Sequence, residues 1–405
     1  MTLAQLTLVC AVALLGPLLF LQRYLRMPVV IGELLVGVVL GETGLRVLNS
    51  HDPTFTFLGD DIGFALVMYV AGSHVPIRSE GLRAGLRSGL LRAVAIGALS
   101  VPAGLAVAAA FGTGHGLLYA VLIASSSASI VMPALAGIPL TAPPIVAMMA
   151  QIAVADAACI VLLPLAVDPA QAPSRALGAA TLLSAAYLVY LFLRWVERSG
   201  RRRAVHEVSE ERGLALELRT SLTILFALSA VAQAVQVSVM LAGFSAGLAV
   251  AAVGEPRRLT KQLFALTEGF FAPLFFVWLG ASLDLRAVAA QPSLILLGVT
   301  LGLVAAAIHG VLAFTRQPLP VALVTCAQLG VPVAAATLGD AQGLLAPGED
   351  AALLVGALVT ILVTTFVSSR VEKVARDGAA PVESSPGGGG QPPGPPGAAP
   401  TPTQG

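Results

Sequence analysis

Apolar runs recur along this chain, separated by short stretches that carry most of the charges. A run of about 20 residues crosses the ~30 Å hydrocarbon core of a bilayer as an α-helix. Thirteen runs approach that length: residues 3–22, 28–45, 57–76, 89–111, 116–137, 143–166, 176–195, 214–234, 238–253, 265–283, 293–314, 319–341 and 350–369. The pattern predicts thirteen transmembrane helices, numbered here as spans 1 to 13.

The basic residues test the count, because cytoplasmic loops collect Lys and Arg. Twenty of the 23 basic residues fall in one alternate set of loops. They are Arg23 and Arg26, then Arg78, Arg83, Arg87 and Arg92, and next Arg194, Arg198, Arg201, Arg202, Arg203, Arg212 and Arg219. Arg257, Arg258 and Lys261 follow, then Arg316, and finally Arg370, Lys373 and Arg376. The other set holds only Arg46, Arg175 and Arg286. A miscounted span would mix the two sets downstream of the error. The expected topology has the N-terminus outside and the C-terminus in the cytoplasm, in a bacterial inner membrane. The first 22 residues contain no Lys or Arg, which predicts an uncleaved first span and not a signal peptide.

An odd count suits two six-helix repeats of opposite topology joined by one helix, span 7. Inverted repeats with broken helices at the midplane are typical of secondary transporters. If span n matches span n + 7, span 5 should match span 12. Span 5 reads Ser125-Ser126-Ser127-Ala128-Ser129-Ile-Val-Met-Pro133, and span 12 reads Thr325-Cys326-Ala-Gln328-Leu-Gly330-Val-Pro332. Both combine small polar residues with a proline, which removes a backbone donor and crowds the preceding turn. Unwound backbone survives in a membrane only where protein or a water-filled cavity satisfies it. The paired breaks, with Pro133, Gly330 and Pro332, are therefore the best pointer to a binding site.

Composition agrees with this class. Hydrophobic residues make up 57% and charged residues 11% of the 405 residues, against about 25% charged in an ordinary globular protein. A formal net charge of +1 excludes a nucleic-acid binder steered by bulk charge. Cys10, Cys159 and Cys326 lie in apolar runs, with no metal spacing and no disulfide framework. Residues 377–405 hold 8 Gly and 8 Pro and predict a disordered tail. No dinucleotide fingerprint, phosphate loop or cofactor is expected.

An ionisable residue inside a span is costly and is a functional candidate by default. Asp156 is the one acid at a span centre, in Gln151-Ile-Ala-Val-Ala155-Asp156-Ala-Ala-Cys159. A buried carboxyl can hold a proton or a cation in turn, the minimum chemistry of proton-coupled exchange. The bland alternative is an Asp that caps a broken helix. His309 lies inside span 11 and offers a proton relay or a partner to Asp156. Its place nearer the cytoplasmic end weakens direct pairing. Gln151 and Gln328 add polar capacity, and Ser126, Ser127 and Thr325 offer oxygens to a cation such as Na⁺ or K⁺. Ser and Thr also join helices to one another. Glu33, at the inner end of span 2, reads as a structural partner of Arg23 or Arg26.

Several of these segments resemble the Kef- and NapA-like monovalent cation:proton antiporters. Pro28-Val-Val-Ile-Gly32-Glu33-Leu-Leu-Val-Gly37-Val-Val-Leu-Gly41 is similar to their second span. Phe270-Phe-Ala-Pro273-Leu-Phe275-Phe276-Val-Trp-Leu-Gly280-Ala-Ser-Leu-Asp284 is similar to the span before their second core bundle. Ser125-Ser126-Ser127-Ala128 resembles their first broken helix, Ala155-Asp156 their ion-site pair, and Ala327-Gln328-Leu329-Gly330 the start of their second broken helix. The resemblance covers nearly all of residues 1–376 in order.

It implies an all-α NhaA/NapA-like fold and a homodimer within the lipid bilayer. Each protomer would have a dimer domain (spans 1–3 and 7–10) and a moving core (spans 4–6 and 11–13), with broken helices 5 and 12 crossing beside Asp156. The implied function is antiport of Na⁺ or K⁺ against protons by alternating access, not an enzyme activity. The sequence departs from the family pattern in four places. Ala155 replaces a polar residue, His309 stands where a Lys is usual, Val331 stands near where many members have Glu in the second broken helix, and Gly72-Ser73-His74 replaces Gly-Leu-Glu. One carboxylate without a lysine implies electroneutral exchange. A passive or channel-like conductor, or an organic-anion transporter on the same fold, is the competing expectation. An intramembrane aspartyl protease is disfavoured, because Leu338-Gly339-Asp340 lacks the first glycine of the required motif.

Overall fold

The structure, a computed structural model, describes residues 2–14, 29–73, 80–128, 130–131, 135, 142–199, 214–254, 257–283 and 285–378. Pro133 and the expected tail from residue 379 lie outside the described residues, as do Arg23 and Arg26. Among the described residues the regular secondary structure is helical. They are α1 (Leu3–Ala13), α2 (Val29–Leu40), α3 (Pro53–Ser73), α4 (Glu80–Phe111), α5 (Gly116–Ala124), α6 (Pro143–Val167) and α7 (Ala172–Arg198). There follow α8 (Leu216–Ala234), α9 (Val239–Val253), α10 (Lys261–Ser282), α11 (Pro292–Thr315), α12 in two halves (Leu319–Val324 and Gly330–Ala341) and α13 (Glu349–Gly378). Seven of these, α3, α4, α6, α7, α10, α11 and α13, are long and apolar enough to cross a membrane by length and composition. The molecule is an all-helical, multi-pass membrane protein.

Packing divides the helices into two groups. In one, α4 lies against α5 and α6, α11 against α13 and α4, and α12 against α13 and α6. In the other, α2 packs on α10, α3 on α9, and α1 and α8 on these pairs. α7 touches both groups, through α9 and α6. Small residues let these helices approach closely, which matters where lipid supplies no hydrophobic drive between helices. A Cβ added at Gly37 would lie 2.8 Å from the Cα of Gly280, so α2 and α10 meet backbone to backbone. One added at Gly89 would lie 2.7 Å from the backbone nitrogen of Gln151, so α4 crosses α6 beside the candidate site.

α3 and α10 each contain a π-helical stretch, Phe57–Phe64 and Thr267–Phe271, and the two stretches pack together. Such widened turns are frequent at functional sites. Phe64 stacks on Phe275 beside them, with ring centroids 4.8 Å apart.

Both candidate breaks are real interruptions of the helix. α5 stops at Ala124, Ser125 is extended at φ −71° and ψ 154°, and helical hydrogen bonds resume where the amides of Ile130 and Val131 donate to the carbonyl of Ser127. In α12 the first half closes with tighter bonds, from Thr325 N–H to Ala322 and from Cys326 N–H to Leu323. The second half begins with Val333 N–H donating to Leu329. Pro332 does not break this helix. It lies in the first turn of the second half, where a residue without an N–H costs nothing, because that amide has no helical acceptor.

Candidate functional site

The two breaks meet. The Ser126 hydroxyl, in the first, donates to the carbonyl of Thr325, in the second, at 2.6 Å. The bond answers a backbone need, since the end of a helix leaves its last carbonyls unpaired. Ser125 meets the same need locally, donating to the Leu122 carbonyl at 2.8 Å.

Asp156 lies on α6 and is buried. Its carboxyl accepts a hydrogen bond from the backbone N–H of Ala128, where α5 resumes after its break. The start of a helix presents unpaired N–H groups and the positive end of the peptide dipoles, so it favours an anionic group. The tripeptide Ser125-Ser126-Ser127 opens the backbone, and the α6 register brings the carboxyl to the opening. Ser127 is also buried there. Ala155, beside Asp156, is buried and supplies no polar atom.

His309 is completely buried on α11. Its Nδ1 lies 2.7 Å from Thr325 Oγ1, and its Nε2 lies 3.2 Å from the carbonyl of Ile123. The ring therefore ties the last turn of α5 to the end of the first half of α12. Both ends present carbonyls, the negative pole of a helix, which favours a group able to carry positive charge. Asp156 and His309 thus take opposite poles of the broken helices, and both ring nitrogens are engaged away from Asp156.

Gln151 sits one turn before Asp156 but faces the same junction as His309. Its Nε2 donates to Thr325 Oγ1 at 3.0 Å, and its Oε1 accepts from Gln317 Nε2 at 3.2 Å. The hydroxyl of Thr325 lies 2.7 Å from the Ala322 carbonyl as well, so this one oxygen links α6, α11 and α12. Gln328 is buried in the second break, and its backbone N–H donates to Thr360 Oγ1 of α13 at 3.2 Å. Its side-chain nitrogen has no partner among the described residues. Gly330 and Pro332 start the following half-helix, while Pro133 lies outside the described residues.

The structure adds Gln317, Thr360 and the Ala128 amide to the site. No periodicity signals them. Gln317 stands in a loop beside Pro318, Thr360 looks like one more helix-joining hydroxyl, and a backbone amide carries no sequence mark.

A second junction lies at the other end of α6. Arg175, at the start of α7, donates to the carbonyl of Gln236 and, at 3.0 Å, to the side chain of Gln342. Asp168 approaches it at 3.9 Å. Gln236 belongs to the α8–α9 turn and Gln342 to the α12–α13 loop, so this buried guanidinium joins the two helix groups. At the same end, Glu349 accepts hydrogen bonds from Tyr119 Oη at 2.6 Å and from the amide of Ala346 at 3.0 Å, with His115 Nδ1 at 2.7 Å.

Comparison with known proteins shows the family and the fold. A family model described as "Sodium/hydrogen exchanger, transmembrane" matches residues 10–371. YjbQ of Bacillus subtilis (strain 168), which carries the name of a Na⁺/H⁺ antiporter, is 23% identical over 392 residues, or 91% of this chain and 63% of YjbQ. NhaS3 of Synechocystis sp., a high-affinity Na⁺/H⁺ antiporter, is 33% identical over 163 residues, or 37% of this chain and 34% of NhaS3. The chain thus spans less than two thirds of the length of these two relatives. The solved structure of the sodium proton antiporter MjNhaP1 from Methanocaldococcus jannaschii at pH 8 superposes with a TM-score of 0.64 at 16% identity, covering 91% of this chain and 97% of that one. The two chains share a fold.

Proposed function

The chain belongs to the sodium/hydrogen exchanger transmembrane family, and from that premise we propose that it is a secondary antiporter exchanging Na⁺ for H⁺ by alternating access. One observation carries the reading: the sole acid at the centre of a span, Asp156, is buried at the point where a broken helix resumes. Burying an ionised carboxyl without a compensating charge is costly. A site of this kind therefore holds a proton or a cation and does not stay empty and charged.

Exchange follows from competition for one carboxyl. Protonated, Asp156 is neutral. When the proton leaves, Na⁺ takes its place, with hydroxyl and carbonyl oxygens of Ser126, Ser127 and the opened backbone as candidate further ligands. Gln328, buried in the second break, is a supporting group. His309, Thr325 and Gln151 keep the crossing in register. One carboxyl admits one cation or one proton, which makes the exchange electroneutral. K⁺ is the alternative cation.

The remaining architecture belongs to the same proposal. Thirteen spans form two inverted six-helix repeats around span 7, with the N-terminus outside and the C-terminus in the cytoplasm of a bacterial cell. Spans 4–6 and 11–13 are the moving core, and spans 1–3 and 7–10 form the dimer domain of a homodimer. The two helix groups and the Arg175 junction between them support this division. Arg175 must release either Gln236 or Gln342 when the core slides.

The test is Asp156→Asn in proteoliposomes carrying an imposed pH gradient. Wild-type protein should dissipate the gradient when Na⁺ is added, and the variant should not. Dissipation at the wild-type rate by Asp156→Asn would remove Asp156 from the site.

A further inference from the structure

A second pair of carboxyls lies outside the helix group that carries Asp156. Glu33 of α2 and Glu268 of α10 line one cavity of about 360 Å³, closed on its third side by α1. That volume is within the range of small-ligand pockets, about 300–1,000 Å³. Its other walls are mainly apolar, including Val9, Ala13, Val29, Phe270 and Leu274. Glu33 is only 4% exposed, and among the described residues no hydrogen bond or ion pair satisfies its carboxyl. Glu268 is exposed, in the π-helical stretch of α10, and lines the same cavity as Glu33.

Two carboxyls facing one apolar cavity cannot both ionise cheaply unless positive charge sits between them. A hard metal ion asks for about six oxygen ligands, and among the described residues these walls offer two carboxyls beside mainly apolar side chains. A primary ammonium on an apolar body matches both features, because its charge meets the carboxyls while its chain lies on the walls. We propose that this cavity binds a lipophilic organic cation, its ammonium held between Glu33 and Glu268. The inference does not rest on the exchange reaction, and the site is separate from Asp156.

The probe is a fluorescent dansyl-alkylamine, titrated into the full-length protein in phosphatidylcholine nanodiscs. Saturable binding is expected, displaced by octylamine and not by octanol. Glu33→Gln with Glu268→Gln should weaken it on the order of tenfold or more, while Asp156→Asn should leave it unchanged. Cys10 is exposed and lines the cavity, so Cys10→Trp should block binding with both carboxyls intact, even if the double Gln variant fails to fold. Phosphatidylethanolamine carries the same ammonium. Weaker apparent binding in discs containing that lipid would identify the lipid headgroup as the occupant, and equal binding would identify a free amine. Either result supports the site. Equal binding by wild type and Cys10→Trp, or displacement by octanol as effective as by octylamine, would overturn it.

Discussion

Replacing Thr325 by Val tests whether the crossing of the broken helices is held by one hydroxyl. The change keeps the side-chain shape and removes only the polar atom, so no cavity term enters. Thr325, Gln151 and His309 are each 0% exposed, so water cannot replace what is lost. The Ala322 carbonyl keeps the amide of Thr325 as a donor. Gln151 Nε2 and His309 Nδ1 are left without a partner. Each buried orphan costs about 1–3 kcal/mol, which gives about 2–6 kcal/mol for the pair. Thr365→Val is the control, because that hydroxyl only bonds back to Ile361 on its own helix, at 2.8 Å. Its cost should stay within about 0.5 kcal/mol. The assay is thermal unfolding of the purified proteins in one detergent and at one scan rate, since unfolding of such proteins is governed by rate. A Thr325→Val transition indistinguishable from that of Thr365→Val would show that the hydroxyl does not hold the junction.

His309→Ala leaves the Ile123 carbonyl and the Thr325 hydroxyl without the ring, so Na⁺-dependent proton flux in proteoliposomes should fall several-fold, with a shifted pH profile, yet remain measurable. Gly280→Val would push a side chain into the backbone of α2, costing about 1–3 kcal/mol of overpacking. A lowered unfolding temperature with transport retained in the surviving protein is expected. Glu349→Ala strips partners from Tyr119, His115 and the Ala346 amide, and should destabilise by about 2–5 kcal/mol, read in the same thermal assay. Glu349→Gln, which still accepts hydrogen bonds, should lose less.

Much of this architecture is legible in the chain because the bilayer imposes it. Apolar run length predicts the helices, and the cost of a charge in hydrocarbon singles out Asp156. The breaks are legible too, since Ser125-Ser126-Ser127 and Thr325 to Gly330 interrupt otherwise apolar helices. What escapes the sequence is partnership. Ser126 and Thr325 are 199 positions apart, and no period links them. Histidine at position 309 suggests titration, and its type does not reveal that both nitrogens would meet the ends of two broken helices. Glu33 suggests an arginine partner by sequence proximity; Arg23 and Arg26 lie outside the described residues, and no period in the sequence shows that Glu33 and Glu268 line one cavity. The π-helical turns of α3 and α10, which pack together, are not signalled by the apolar pattern.

The central claim is that Na⁺ and H⁺ compete for the Asp156 carboxyl. Adding NaCl to weakly buffered, purified protein and recording released protons measures that competition without a membrane or a gradient. The account predicts release of one proton for each Na⁺ bound by the wild type, and none from Asp156→Asn. Equal proton release from the variant, or Na⁺ binding by the wild type with no proton released, would contradict it.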